Sequence, residues 1–139
     1  MKRREARELA FCLIFEKDFM KEVSCKEIYN SALNLFDNEG VEDEPYIYST
    51  FSGVYDNIEE IDSLINEASS NWDKERISRV SRAILRLAVY EMKYAEDIPL
   101  KIAVNEAVEI AKKFDDEKAF SFINGVLAKI AVVTGTKDE

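Results

Sequence analysis

The chain has no histidine and two cysteines, Cys12 and Cys25, in 139 residues. Two thiols without CxxC spacing and without an imidazole do not make a zinc site of the usual kind. The commonest general base is missing as well, and with it the Ser-His and Cys-His nucleophile pairs. No glycine-rich phosphate loop is present. Four glycines and two prolines supply little turn chemistry, which predicts long elements joined by short loops. Long apolar runs are also absent, and no stretch approaches the length that spans a membrane. The opening MKRREARELAFCLIFE is basic and then apolar, as a secretory leader is. Glu5, Glu8 and Glu16 interrupt it, however, and no small-residue cleavage site follows. The expectation is a cytoplasmic chain with reduced, buried thiols.

What is present fits a soluble globule: 47% of the residues are apolar and 34% charged, too apolar for a disordered chain. The length suits one domain over residues 1–139, able to bury roughly two-thirds of its unfolded surface. Apolar residues recur at three- and four-residue steps almost everywhere, and no segment alternates with period two. Residues 3–20 place Ala6, Leu9, Ala10, Leu13 and Met20 on one side. A second helix starts at Ser24, where Ser24 and Glu27 form an S-x-x-E capping box; it buries Ile28, Ala32 and Leu35 and stops before Asn38, Glu39 and Gly40. Pro45 opens a third, with Ile47, Phe51, Val54, Ile58, Ile61, Ile65 and Ala68 as one continuous stripe over about six turns. Further helices are expected over residues 77–94, from Pro99 to about Phe114, and over residues 119–133. The expected fold is all-α, a compact bundle of six to seven helices.

The net charge of −9 excludes a generic nucleic-acid binder, whose whole surface would be basic. The charge is uneven, though. Residues 37–75 hold twelve acidic side chains against Lys74 alone, most simply a solvated surface. Lys2, Arg3, Arg4 and Arg7 crowd the first turns of the first helix, where positive charge opposes the helix dipole, so helix stability does not explain them. A basic cluster beside an aromatic suits single-stranded RNA, in which arginine meets phosphate and a ring stacks on an unpaired base. A second basic group, Arg76, Arg79, Arg82, Arg86 and Lys93, forms a stripe that fits either an acidic partner or phosphate, or else the chain's own carboxylates. Arg86, flanked by leucines, fits the internal role and then needs a carboxylate, because a buried unpaired charge costs several kcal/mol. Asn105, Glu106 and Asn124 lie in apolar helical segments and read as a hydrogen-bonded core network. Gly125 in mid-helix reads as a site of close helix approach.

Three stretches resemble one family, the NusB transcription antitermination factors: RREARELAFCLIFE, RAILRLAVYEMKYAEDIPLKIAVNEAVEIAKKF and FINGVLAKIA, in the family's order and spacing along essentially the whole chain. The resemblance implies two packed helical sub-bundles and an arginine-rich N-terminus. It implies pairing with NusE, a small-subunit ribosomal protein, and joint binding of a short single-stranded boxA-type RNA in nascent ribosomal transcripts. It also implies entry into an antitermination complex on RNA polymerase. The family's RNA-facing residues map onto Lys2, Arg3, Arg4, Arg7 and Phe122, and its partner surface onto Phe15, Arg79, Ser81 and Arg82. No catalytic residue, cofactor or metal is implied, and a homodimer is among the assemblies the family allows.

The chain departs from the family's pattern at Glu5, where an arginine often stands, and at Ser81, where an acidic residue often stands. The first implies weaker RNA binding by the protein alone. Two other functions compete: a helical adaptor between proteins with no RNA contact, and an enzyme's accessory domain, since a NusB-like domain precedes certain ribosomal RNA cytosine methyltransferases.

Overall fold

A computed structural model describes residues 2–35, 45–72 and 77–134. Seven helices lie among them, with no strand: α1 (Arg3–Phe19), α2 (Cys25–Leu35), α3 (Pro45–Asp56), α4 (Ile58–Ala68), α5 (Arg79–Lys93), α6 (Leu100–Phe114) and α7 (Glu117–Thr134). The all-helical bundle expected from the periodicity is the observed fold. Asn38, Glu39, Gly40, Lys74, Arg76 and the C-terminal tail lie outside the described residues.

Local chemistry sets the helix ends. At the start of α2, Ser24 Oγ accepts from the Glu27 backbone N–H at 3.1 Å, the first half of the capping box. Ser78 Oγ does the same for Ser81 N–H ahead of α5 at 2.9 Å. Asp116 Oδ1 accepts from Ala119 N–H at 2.8 Å ahead of α7. Pro45 opens α3, and Pro99 stands in extended conformation just before α6.

The stripe expected to be one long helix from Pro45 is two helices, parted at Asn57. The Asn57 side chain donates to the Gly53 carbonyl at 2.8 Å, while its backbone N–H turns back to Val54 O at 3.2 Å. An asparagine that satisfies a backbone carbonyl locally competes with the helix ladder. The apolar spacing continues across the break, so Ile47, Phe51, Val54, Ile61 and Ile65 are all fully buried.

α5 is the central element. It packs on α1 and α3 on one side and on α4, α6 and α7 on the other, joining the two sub-bundles. Ten of its fifteen residues are buried, Arg86 and Glu91 among them. A helix buried nearly all round must carry partners for any charge it encloses. Arg86 has them: Nε and Nη2 each donate to Asp62 at 2.9 Å, and Nη1 donates to Asp18 at 3.2 Å. The internal assignment for Arg86 is correct, and part of the acidic run serves it. Lys93 likewise pairs with Glu60, and Tyr94 donates to the same carboxylate at 2.7 Å.

Several expectations need correction. Cys12 is exposed on α1 and Cys25 half-buried, both as free thiols, because position 12 falls on the outer side of a helix whose buried side is Ala6, Ala10, Leu13 and Ile14. Met20 and Leu35 are exposed at helix ends. Asn105 and Asn124 face outward, so they form no core network, whereas Glu106 is half-buried and paired. The glycine that permits close approach is Gly53, where an added Cβ would collide with the Tyr90 ring. At Gly125 the nearest atom would be Trp72 Cζ2 at 3.7 Å, an ordinary contact. No described helix is long and apolar enough to cross a membrane.

Opposite effects are expected at the two glycines. Gly125→Ala raises unfolding free energy by roughly 1 kcal/mol through helix propensity, whereas Gly53→Ala lowers it by displacing Tyr90. Urea denaturation midpoints at constant slope measure both.

Candidate nucleic-acid interface

The N-terminal cations divide into an inner and an outer set. Arg7 points into the bundle and is 4% exposed. Its Nε donates to Glu91 Oε1 at 2.9 Å and its Nη2 to Glu91 Oε2 at 3.0 Å, a fork-on-fork pair with a carboxylate that is itself 1% exposed. Nη1 reaches Glu106 Oε1 at 3.0 Å. Tyr46 completes the enclosure: its hydroxyl donates to Glu91 Oε2 at 3.1 Å, and burial, followed by the Glu91 charge, holds the phenol protonated well above its ordinary range. One guanidinium thereby joins α1 to α5 and α6, under a cover from α3.

Arg4, Arg3 and Lys2 form the outer set. Arg4 clasps Glu106 through Nε at 3.2 Å and Nη2 at 2.7 Å, yet its side chain is 64% exposed. The Arg3 guanidinium lies 4.3 Å from the centre of the Tyr46 ring, on its outer side, in cation–π range. Lys2 is exposed at the helix start. Further along, Lys113 pairs with Glu8 at 2.6 Å, and Lys112 stands 5.5 Å from the Phe120 ring centre. Both lysines are exposed and extend the basic edge along α6. Their adjacent positions in the last turn of a helix read as favourable dipole partners, which is why sequence reasoning passed over them.

Phe122 lies apart from this cluster, on the first turns of α7. It is 8% exposed and covered by Trp72, whose ring meets it edge-to-face at 5.0 Å. The two rings border a cleft of about 700 Å³ lined also by Ile77, Ser78, Ser81, Asp115 and Lys118. Ser81 belongs here: it is buried, and its Oγ donates to Asp115 Oδ2 at 2.6 Å. Sequence reasoning missed Trp72, whose one signal was a lone tryptophan directly before a charged linker.

Phe15 and Arg79 flank Phe19 on a third surface. Phe11, Phe15 and Phe19 form a ladder along α1, with centroids 6.5 and 5.0 Å apart, and Phe114 of α6 joins Phe11 at 5.2 Å. Phe19 is 57% exposed, with the Arg79 guanidinium 4.6 Å from its ring centre and paired to Asp18 at 3.0 Å. Arg82 is half-buried and forms no ion pair among the described residues. An aromatic ridge left open beside arginines has the composition of protein-binding surfaces.

A helical bundle with a basic edge, an aromatic cleft and an aromatic ridge open at Phe19 has the surfaces of a binding protein. The chain belongs to the NusB family, whose model matches residues 4–132. It is 46% identical over 134 residues to the transcription antitermination protein NusB of Acetivibrio thermocellus, covering 96% of this chain and 90% of that protein. It is 44% identical over 130 residues to the same protein of Bacillus subtilis, covering 94% and 95%. Among solved structures it resembles T. maritima NusB, with a TM-score of 0.83 and 32% identity over 99% of this chain and 96% of that one. It also resembles a chain from the crystal structure of antitermination factors NusB and NusE in complex with dsRNA, with a TM-score of 0.80 and 28% identity over 96% and 99%.

Two outcomes separate the cation sets. Arg7→Ala strands the Glu91 carboxylate and is expected to cost about 3–5 kcal/mol of stability, while Arg3→Ala changes it by less than about 0.5 kcal/mol; thermal and urea unfolding distinguish them. The second concerns acid. Hydrogen bonding from Arg4 holds the Glu106 carboxyl below its usual range. Its stabilisation is therefore complete above the unfolded value of about 4.3 and lost as pH falls through the lower folded value. The stability difference between wild type and Glu106→Gln should shrink as pH falls below about 4, measured as urea midpoints across that window.

Proposed function

We propose that this chain is a cytoplasmic transcription antitermination factor that binds a single-stranded boxA-type RNA together with NusE and joins an antitermination complex on RNA polymerase. The observation that carries this is the outer cation set: Lys2, Arg3 and Arg4 project from one helix end beside Lys112 and Lys113, on a chain otherwise strongly acidic. Residues 1–139 then act as one RNA-binding domain, with no chemistry of its own.

In this mechanism the acidic body repels nucleic acid everywhere except along the basic edge, which fixes where the backbone lies. Arg4 exchanges Glu106 for a phosphate. The exchange is cheap, since Arg4 is largely exposed to solvent and Glu106 keeps its bond to Arg7. Arg7, grouped with the RNA contacts from sequence, acts as a positioning residue that anchors the turn carrying Arg3 and Arg4. Phe122 contributes from the cleft. The ridge of Phe15 and Phe19 with Arg79 and Arg82 receives NusE, and Ser81 supports it from behind through Asp115. The basic edge is short, so the partner supplies much of the RNA affinity. The adaptor alternative has one observation in its favour, the internal pairing of Arg4, and it predicts that RNA adds nothing to the complex with NusE.

The test is anisotropy of a labelled boxA-type RNA in the presence of NusE across a salt series. Replacing Arg3 and Arg4 together by alanine removes two phosphate contacts and should reduce the magnitude of the log–log salt slope by roughly 1.4, at about 0.7 per single-strand contact. An unchanged slope and affinity would place the RNA elsewhere or nowhere on the chain.

A further inference from the structure

We propose that Glu8 is a built-in competitor of the RNA backbone: it holds Lys113 in an ion pair between α1 and α6, so that RNA gains this cation only by displacing the carboxylate. This deepens the RNA-binding function proposed above and rests on it.

The basic edge is not an open row of cations. Residues 4 and 8 share one face of α1, and residues 106, 109 and 113 share one face of α6, at the spacing that stacks side chains along a helix. The order plus-then-minus on α1 therefore meets minus-then-plus on α6. Arg4 pairs with Glu106 at 2.7 Å and Lys113 with Glu8 at 2.6 Å, while Lys112 stands 3.6 Å from Glu109. These six side chains, with Arg7, line one cleft of about 280 Å³ between the two helices.

The three pairs differ in what an arriving phosphate leaves behind. Lys112 and Glu109 are about half exposed and long in their contact, so water already competes for them. Glu106 keeps its bond to Arg7 when Arg4 departs. Glu8 has no such second cation: among the described residues it forms one ion pair, with Lys113. Its side chain is 23% exposed, whereas that of Lys113 is 61% exposed and rests 5.4 Å from the Phe114 ring centre. The lysine can swing its flexible stem toward a phosphate at little cost to itself. The cost falls on Glu8, which is left as an unpaired, half-buried carboxylate beside a polyanion. Lys113 is thereby withheld from casual contacts, and the chain's own affinity for any polyanion is lowered.

A double-mutant cycle isolates the pair. Anisotropy of labelled boxA-type RNA with NusE present compares wild type, Glu8→Gln, Lys113→Ala and the double variant. Glu8→Gln, which keeps the side chain's shape, is expected to bind roughly 2- to 5-fold tighter, the factor that such an ion pair is worth. Lys113→Ala should bind more weakly than wild type, and in its background the gain from Glu8→Gln should vanish. The wild-type protein supplies a second readout: the Glu8 carboxyl ¹³C resonance should move as RNA is added, because its cation leaves. Unchanged affinity in either single variant, a gain that survives in the double variant, or a fixed Glu8 resonance with RNA bound would overturn the competitor role and leave the RNA-binding function standing. If no RNA binds to the wild type at all, both fall.

Discussion

Arg7 leaves water at the second turn of α1 and ends between carboxylates on two other helices, and much else in the structure follows from that placement. Glu91 is enclosed in the central helix and has no water to solvate it, so α1 must dock wherever a guanidinium can reach it. Docking in that register brings Arg4 to Glu106, Tyr46 beneath Arg3, and Phe11 against Phe114. A planar fork of five donors suits this junction, because it holds Glu91 at two oxygens while reaching Glu106, geometry that a lysine ammonium does not match. Arg86 performs the same service at the middle of α5, tying Asp18 of α1 to Asp62 of α4. The two arginines hold the sub-bundles in register, and the apolar core fills the space between them.

That arrangement also explains how an acidic protein presents a basic edge. Among the described residues the buried cations are Arg7 and Arg86, while Lys2, Arg3, Arg4, Lys112 and Lys113 are exposed along one edge and Arg79 and Arg82 stand beside the aromatic ridge. The excess of carboxylates lies mainly along the third and fourth helices and the segment before them. Separation of charge by location, not total charge, determines where a polyanion is tolerated.

Much of the fold was legible because helix ends are written locally. Ser24, Pro45 and Pro99 each mark a start that the structure reproduces to within a residue or two. The break at Asn57 was not legible, since the apolar stripe runs through it in phase and a side-chain bond to Gly53 O carries no periodic signature. Within the site, the exposure of Lys2, Arg3 and Arg4 followed from their position at a chain end. The burial of Arg7 did not, because its partner Glu91 lies 84 residues away and polar residues inside an apolar run do not name their partners. Trp72 and Phe122 illustrate the same limit: the sequence can nominate an aromatic, but which of two contacting rings faces solvent is decided by tertiary packing. The family resemblance nominated candidate positions and could not supply that distinction.

The division of the arginines into an interior tie and an exterior binding edge is the central claim. It is tested most directly by following arginine Nε–H resonances during addition of boxA-type RNA with NusE. Arg7 should show slow solvent exchange from the start and keep its shift, while Arg3 and Arg4 exchange quickly in the free protein and move on binding. An Arg7 resonance that exchanges as fast as its neighbours, or that moves together with them, would contradict the account.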